Sequence, residues 1–160
     1  MATAMTDPMN SLISFQQALA DGEIAPQKAE LHDDLLVLVD QPGGTTRFTY
    51  ALVKNQRVIA VAIFVPADPM GGFPCFNAGY AVDELHRSSG YGKEVTQKAF
   101  DELTNGFKRA GIPHLYVEAI VSTSNEHSKM LANLLFSNSP KECIDGESGQ
   151  PALQYAKQLY

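Results

Sequence analysis

The sequence predicts an α/β (α+β) fold in which helices flank a mixed, mostly antiparallel central sheet. Three observations carry that prediction. Residues 47–54 and 57–65 are runs rich in Phe, Tyr, Val and Ile, separated only by Asn55-Gln56, which reads as a hairpin. Val95, Ala99, Phe100, Leu103, Phe107 and Ala110 recur at three- to five-residue intervals, the stripe of a long amphipathic helix ended by Gly111 and Pro113. That helix separates strand-like runs at 76–82 and 115–121. A strand–helix–strand unit implies a right-handed crossover and a parallel pair at the centre of the sheet.

The remaining elements follow in chain order. The first ten residues lack periodicity and are expected to be loosely packed. Leu12, Phe15, Ala18 and Leu19 share one helical face over 11–20, and Asp21-Gly22 is a stop signal. A short second helical piece is expected over 26–32, with Pro26 in its first turn. Residues 35–39 read as a strand closed by the turn Gln41-Pro42-Gly43-Gly44. Residues 66–74, with Pro66, Pro69, Gly71, Gly72 and Phe73, read as a loop long enough to cover a site. Ser124 or Asn125 is positioned to cap a helix whose Met130, Leu131, Leu134 and Leu135 are expected to face inward. Residues 143–145 and 153–159 read as a closing pair of strands.

A chain of 160 residues with 44% hydrophobic content can bury a full core, and one domain over 1–160 is the expected organisation. Eighteen acidic against twelve basic residues give a formal charge of −6 with no basic block. Nucleic-acid binding is therefore not expected, and a cationic substrate suits the field better. Cys75 and Cys143 lack metal-ligand spacing, so they read as reduced thiols and no metal is expected. No apolar run approaches a membrane span and the start has no leader pattern, which leads to the expectation of a cytoplasmic chain without a membrane partner.

The segment most informative about chemistry is the turn Arg87-Ser88-Ser89-Gly90-Tyr91-Gly92-Lys93, between the strand-like run and the long helix. Two glycines one residue apart can turn their N–H groups to a common point, and the helix adds the positive end of its dipole. That suits a phosphate-bearing cofactor. The spacing fits neither the dinucleotide fingerprint nor the P-loop.

Two stretches resemble the GNAT superfamily of acyl-CoA-dependent N-acetyltransferases. Gly79-Tyr80-Ala81-Val82 followed by His86-Arg87-Ser88-Ser89-Gly90-Tyr91-Gly92 is similar to the family's strand and [QR]-x-x-G-x-[GA] turn. Residues 117–128, with Val117, Glu118, Ala119, Val121, Asn125 and Ser128, resemble the V-E-A-x-V-x-x-x-N-x-x-S pattern of the branch that includes ribosomal-protein N-terminal acetyltransferases. The resemblance implies the GNAT fold, with the parallel pair splayed into a V, and acetyl-CoA as co-substrate. Arg87, Ser88, Ser89, Gly90, Tyr91, Gly92 and Lys93 would then hold the pyrophosphate, although Lys93 also reads as a solvated first-turn lysine. A backbone N–H near Ala81 or Val82 would polarise the thioester carbonyl.

Asn125 would face the cofactor arm or cap its helix, roles compatible with one position. Ser128 would protonate the leaving thiolate, or bond only its own backbone. Departures from the pattern are Ala132 where many members carry a tyrosine acid, Leu135 before Phe136 where Gly-Phe is usual, and Ser88 at a common glycine position. Glu118 and Asp83 are the nearest candidates for a base, with Glu142 and Asp145 behind them and an ordinary carboxylate as the alternative for each. Tyr80 and Tyr116 read as slot lining or as core, and His86 and His127 as surface residues. The implied reaction is acetyl transfer to a small-molecule or peptide amine by direct attack in a ternary complex. A catalytically degenerate acyl-CoA-binding module is the other class, and an RNA-acting member is disfavoured by the acidity. Acceptor contacts are expected in 24–34 and 66–74. Acceptor identity, acyl chain and oligomeric state, a homodimer included, stay open.

Overall fold

Every residue from Val58 to Phe64 is at most 1% exposed, so the strand that contains them is covered on both faces. In the computed structural model, which describes residues 7–160, this strand is the middle of an eight-stranded sheet. The chain runs α1 (Pro8–Ala20), β1 (Gln27–Lys28), β2 (Leu35–Asp40), β3 (Arg47–Lys54), β4 (Arg57–Met70), β5 (Phe73–Val82), α2 (Tyr91–Arg109), β6 (Tyr116–Ser122), α3 (Glu126–Leu135), β7 (Lys141–Ile144) and β8 (Pro151–Gln158). The strand order is β1-β2-β3-β4-β5-β6-β8-β7. Every neighbouring pair is antiparallel except β5 and β6, so the mixed sheet with one central parallel pair is observed.

Strand alternation divides the core. Ala60, Ala62 and Phe64 point towards α2, where they meet Val95, Ala99, Phe100 and Leu103, with Ala132 and Leu135 of α3 alongside. Val61, Ile63 and Ala81 point the other way and pack under Leu12 and Phe15 of α1. Burying each large side chain of the α2 stripe is worth about 1.5–3 kcal/mol. The helix stops as its sequence directs: Gly111 has φ +81°, its N–H donates to the Lys108 carbonyl at 3.0 Å, and the Ile112 N–H reaches the Phe107 carbonyl at 3.1 Å. The β3–β4 hairpin turns on Asn55 and Gln56, which have φ of +51° and +65°.

Four expectations need correction. α1 begins at Pro8, with the Asp7 carboxylate accepting from the Met9 N–H at 3.0 Å, so its first turn lies inside the stretch expected to be loose; residues 1–6 of that stretch are outside the described residues. Residues 66–74 are not a covering loop, because β4 and β5 continue through them to a tight turn at Gly71-Gly72. Met130 and Leu134 are 71% and 63% exposed and do not face inward; α3 buries Ala132 and Leu135 instead. No helix forms over 26–32. Gln27 and Lys28 pair with β2, the Ala29 N–H donates to the Leu35 carbonyl, and the amides of 30–32 converge on one buried carboxylate. Glu102 Oε1 accepts from Glu30 at 3.0 Å, while Oε2 accepts from Leu31 and His32, each at 2.9 Å. Nothing in the local sequence of 26–32 announces a partner on α2.

Glu102 is 7% exposed, and its removal orphans three amides at once. Glu102→Ala is expected to destabilise the chain by about 2–4 kcal/mol in urea unfolding at unchanged m-value. A cost under about 0.5 kcal/mol would show that water satisfies those amides equally well.

Candidate functional site

The site is built where the sheet opens. β5 and β6 are paired only at Cys75–Tyr116, Phe76–Val117 and Asn77–Glu118, yet β5 runs on to Val82 and β6 to Ser122. Each strand is fully committed on its other side, β5 to β4 as far as Val82 and β6 to β8 as far as Ser122. The facing edges beyond Asn77 and Glu118 are therefore left unpaired.

Ladder parity fixes which groups of β5 face that opening. The Asp83 N–H donates to the Ile59 carbonyl at 2.9 Å, and Pro66, which has no N–H, stands opposite Phe76. In an antiparallel ladder bonded and non-bonded pairs alternate. Residues 79, 81 and 83 therefore bond to β4, while the N–H and C=O groups of Tyr80 and Val82 point into the opening. Ala81 lines the cavity here, but its N–H is directed to β4; of the two amides expected to polarise a carbonyl, Val82 faces the opening, and Tyr80 joins it. The signal that finds Tyr80 is register, which the sequence does not contain.

Beside the opening lies a cavity of about 490 Å³, walled by Tyr80, Val82, Arg87, Ser88, Gly90, Tyr91, Gly92 and Lys93, with His127 and Leu131 of α3. Ser88 and Gly90 have φ of +64° and +82°, and Gly90 is the N-terminal boundary residue of α2. Alternation of left- and right-handed residues turns successive amides to one side, an anion-binding nest on top of the helix dipole. Ser88 holds this geometry without being glycine, at a strain cost of about 1–2 kcal/mol. Gly92 differs in that a Cβ there would stand 3.4 Å from two ring carbons of Tyr80, at close van der Waals contact. Arg87 lies over the strand end, its Nε donating to the Val82 carbonyl at 3.4 Å.

The other expected residues sort by geometry. Asn125 is the N-cap of α3, its Oδ1 accepting from the Ser128 N–H at 3.1 Å; that bond leaves its Nδ2 hydrogens uncommitted. Ser128 is in the first turn of α3, beside Tyr80. The Tyr80 hydroxyl is buried without a hydrogen bond. Burial pushes its phenol up, and the nearby Ser128 hydroxyl opposes that rise without reaching hydrogen-bond geometry. Glu118 is in the last registered pair before the strands part, and it accepts from Gln154 Nε2. Its charge is felt at Cys75, whose buried thiol is pushed up to about 12 by burial first and by Glu118 second. Glu142 and Asp145 lie on and just after β7, and the Asp145 carboxylate accepts from the Glu147 N–H and the Ser148 hydroxyl within its own turn.

Asp83 is placed as a fastener. Its carboxylate joins His86 Nδ1 at 2.9 Å and Arg57 Nη2 at 3.3 Å, tying the end of β5 to the turn and to β4. The His86 hydrogen bond above all, with Arg57 behind it, holds its pKa below the ordinary carboxylate value of 3.8, which weakens it as a base. A lowered folded-state pKa adds stability that is present above the unfolded value and lost as pH falls through the folded one. Asp83→Asn should therefore be less stable than the parent in urea at pH 7, with the gap closing below about pH 3.8. A gap independent of pH would mean that the carboxylate charge plays no part in holding the turn.

Comparison with known proteins places this geometry. The model of the Acetyltransferase (GNAT) family matches residues 13–132, well over half of the chain. Among solved structures, an N-acetyltransferase from Staphylococcus aureus Mu50 superposes with a TM-score of 0.50 at 17% identity, covering 72% of this chain and 68% of that one. A ribosomal-protein-alanine N-acetyltransferase from Brucella melitensis gives 0.51 at 16% identity over 96% and 80% of the two chains. A spermidine N-acetyltransferase chimera from Vibrio cholerae and hSSAT gives 0.54 at 10% identity over 71% and 68%. These identities speak for the fold alone. A search of curated protein sequences finds no significant match. Among the described residues no helix is long and apolar enough to cross a membrane. The turn, the parted strands and the family match together show that the chain belongs to the GNAT family of N-acetyltransferases, which use acetyl-CoA to acetylate amines.

Proposed function

We propose that the chain transfers an acetyl group from acetyl-CoA to a peptide N-terminus or small amine, by direct attack of the amine while both molecules are bound. The observation that carries this reading is the unpaired edge of β5 at Tyr80 and Val82 ending against the left-handed turn at Ser88 and Gly90. An extended, amide-bearing arm with a pyrophosphate at one end is what such an edge and nest complement. The amides of Ser88 to Lys93 hold the pyrophosphate, with Arg87 adding charge; the open amides of Tyr80 and Val82 hold the arm and an acyl carbonyl. Asn125 offers Nδ2 to the arm, and Ser128 a hydroxyl. Bound acetyl-CoA supplies the activated acyl group.

The acceptor must arrive neutral. At pH 7 a lysine-like amine with a pKa of about 10.4 costs roughly 4–5 kcal/mol to deprotonate, an α-amine near 7.8 only about 1 kcal/mol. In this reading Glu118, in the last pair before the strands part, attracts a cationic amine and receives its proton, while Asp83 keeps the turn in place. An α-amine needs little of that help.

Calorimetry with acetyl-CoA, coenzyme A, ATP and NAD tests the first half: the two coenzyme A species should bind, and Gly90→Asp, which puts a charged side chain at φ +82°, should weaken both at least about tenfold. Binding of ATP or NAD in their place would contradict the reading. For the second half, an amine screen should favour α-amines over lysine side chains, and Glu118→Gln should slow an α-amine substrate less than about tenfold. Acetylation restricted to lysine-like amines and abolished by Glu118→Gln would contradict it.

A further inference from the structure

Tyr80 is unusual among the described residues because its hydroxyl is the one buried side-chain polar atom without a hydrogen-bond partner. Buried polar groups are otherwise paired, and a phenylalanine at this position would fill the same wedge without that penalty. The ring rests on Gly92 at the start of α2, and the hydroxyl lies beside Ser128 in the first turn of α3. The phenol thus sits between two helix N-termini, on a cavity-lining residue whose backbone N–H faces the gap between β5 and β6. Ala132, 2% exposed and in the next turn of α3, has no polar group to offer.

We propose that the Tyr80 hydroxyl completes its hydrogen bonding on the sulfur of the bound acyl-CoA, and holds that sulfur as the thiolate forms. The inference rests on the acyl-CoA reading of the cleft. In the transfer the amine nitrogen bonds to the acyl carbon, the carbon–sulfur bond breaks with its electron pair going to sulfur, and the amine's proton leaves to Glu118 or water. Tyr80 keeps its own proton. An ordinary phenol near 10 is a weaker acid than a thiol near 8.5, and burial raises Tyr80 further. The phenol is therefore a donor to the thiolate and not the source of its proton, a role distinct from full proton transfer by an acid. A hydrogen bond that favours the charged sulfur lowers the thiol's pKa in the complex.

That consequence is measurable without knowing the acceptor. Calorimetry at pH 7 and pH 9 would compare coenzyme A with its desulfo analogue, on the native chain and on Tyr80→Phe. The two ligands share every phosphate and meet the same Asp7, His86, Arg87, Lys93 and His127, so the ratio of their affinities isolates the sulfur. For a thiol lowered by one unit, the native ratio should rise about sixfold in favour of coenzyme A between pH 7 and pH 9. Tyr80→Phe should abolish the rise while binding the desulfo analogue as the native chain does. Its Tm should equal or exceed the native value, because an unpaired hydroxyl has been removed. If neither ligand binds the native chain, the acyl-CoA reading falls and this inference with it. If both bind with a ratio independent of pH, or if the rise survives in Tyr80→Phe, the cofactor reading stands and the role of Tyr80 is overturned. A Tyr80→Phe chain that fails to fold leaves the decision to the native ratio and to loss of its rise in Tyr80→Leu.

Discussion

The arrangement depends on β5 and β6 being neighbours that cannot stay paired. β5 is zipped to β4 up to Val82, and β6 to β8 up to Ser122, so each belongs to its own half of the sheet. After Asn77 and Glu118 those commitments pull the two edges apart. Unpaired backbone groups inside a sheet cost about 1–3 kcal/mol each unless water or a ligand completes them. The fold holds that cost at the middle of its sheet, where in the proposed function a ligand that resembles a strand recovers it.

The turn at the end of β5 shows the same economy of strain. Ser88 and Gly90 take left-handed conformations, and Asp83 clamps the approach by bridging His86 and Arg57. Gly92, at the start of α2, packs against the Tyr80 ring. A segment that would be soft by itself is thereby presented as a fixed set of amides, with α2 buried firmly behind it through Val95, Ala99 and Leu103. In the proposed function these amides are held in place before the ligand arrives, which lowers the ordering cost of binding.

Much of this was legible in the residues. Gly90 and Gly92 before an amphipathic stripe announced the turn and α2, Asn55-Gln56 announced a hairpin, and Asn125 announced the start of α3. What was not legible depended on distant partners. The prolines at 66, 69 and 74 read as a loop, but Pro66 stands opposite Phe76 in a non-bonded pair and Pro69 lies where the register shifts between Ala67 and Met70, so neither removes a ladder bond. The amides of 30–32 turned away from a helix because Glu102, about seventy residues later in the chain, accepts them. Met130 and Leu134 have the spacing of an inward stripe, yet the short α3 docks on the adjacent flank that bears Ala132 and Leu135. Within the site, the choice between Ala81 and its neighbours is a parity that only the pairing of β4 with β5 decides.

That parity can be read in solution. Amide hydrogen exchange, resolved residue by residue by NMR with and without saturating acetyl-CoA, reads which edge groups the ligand occupies. New protection is expected at Tyr80 and Val82, with Gly79 and Ala81 already protected by β4 and unchanged. Saturation that left Tyr80 and Val82 exchanging as freely as before would show that the parted strands are not where the acyl-CoA arm lies.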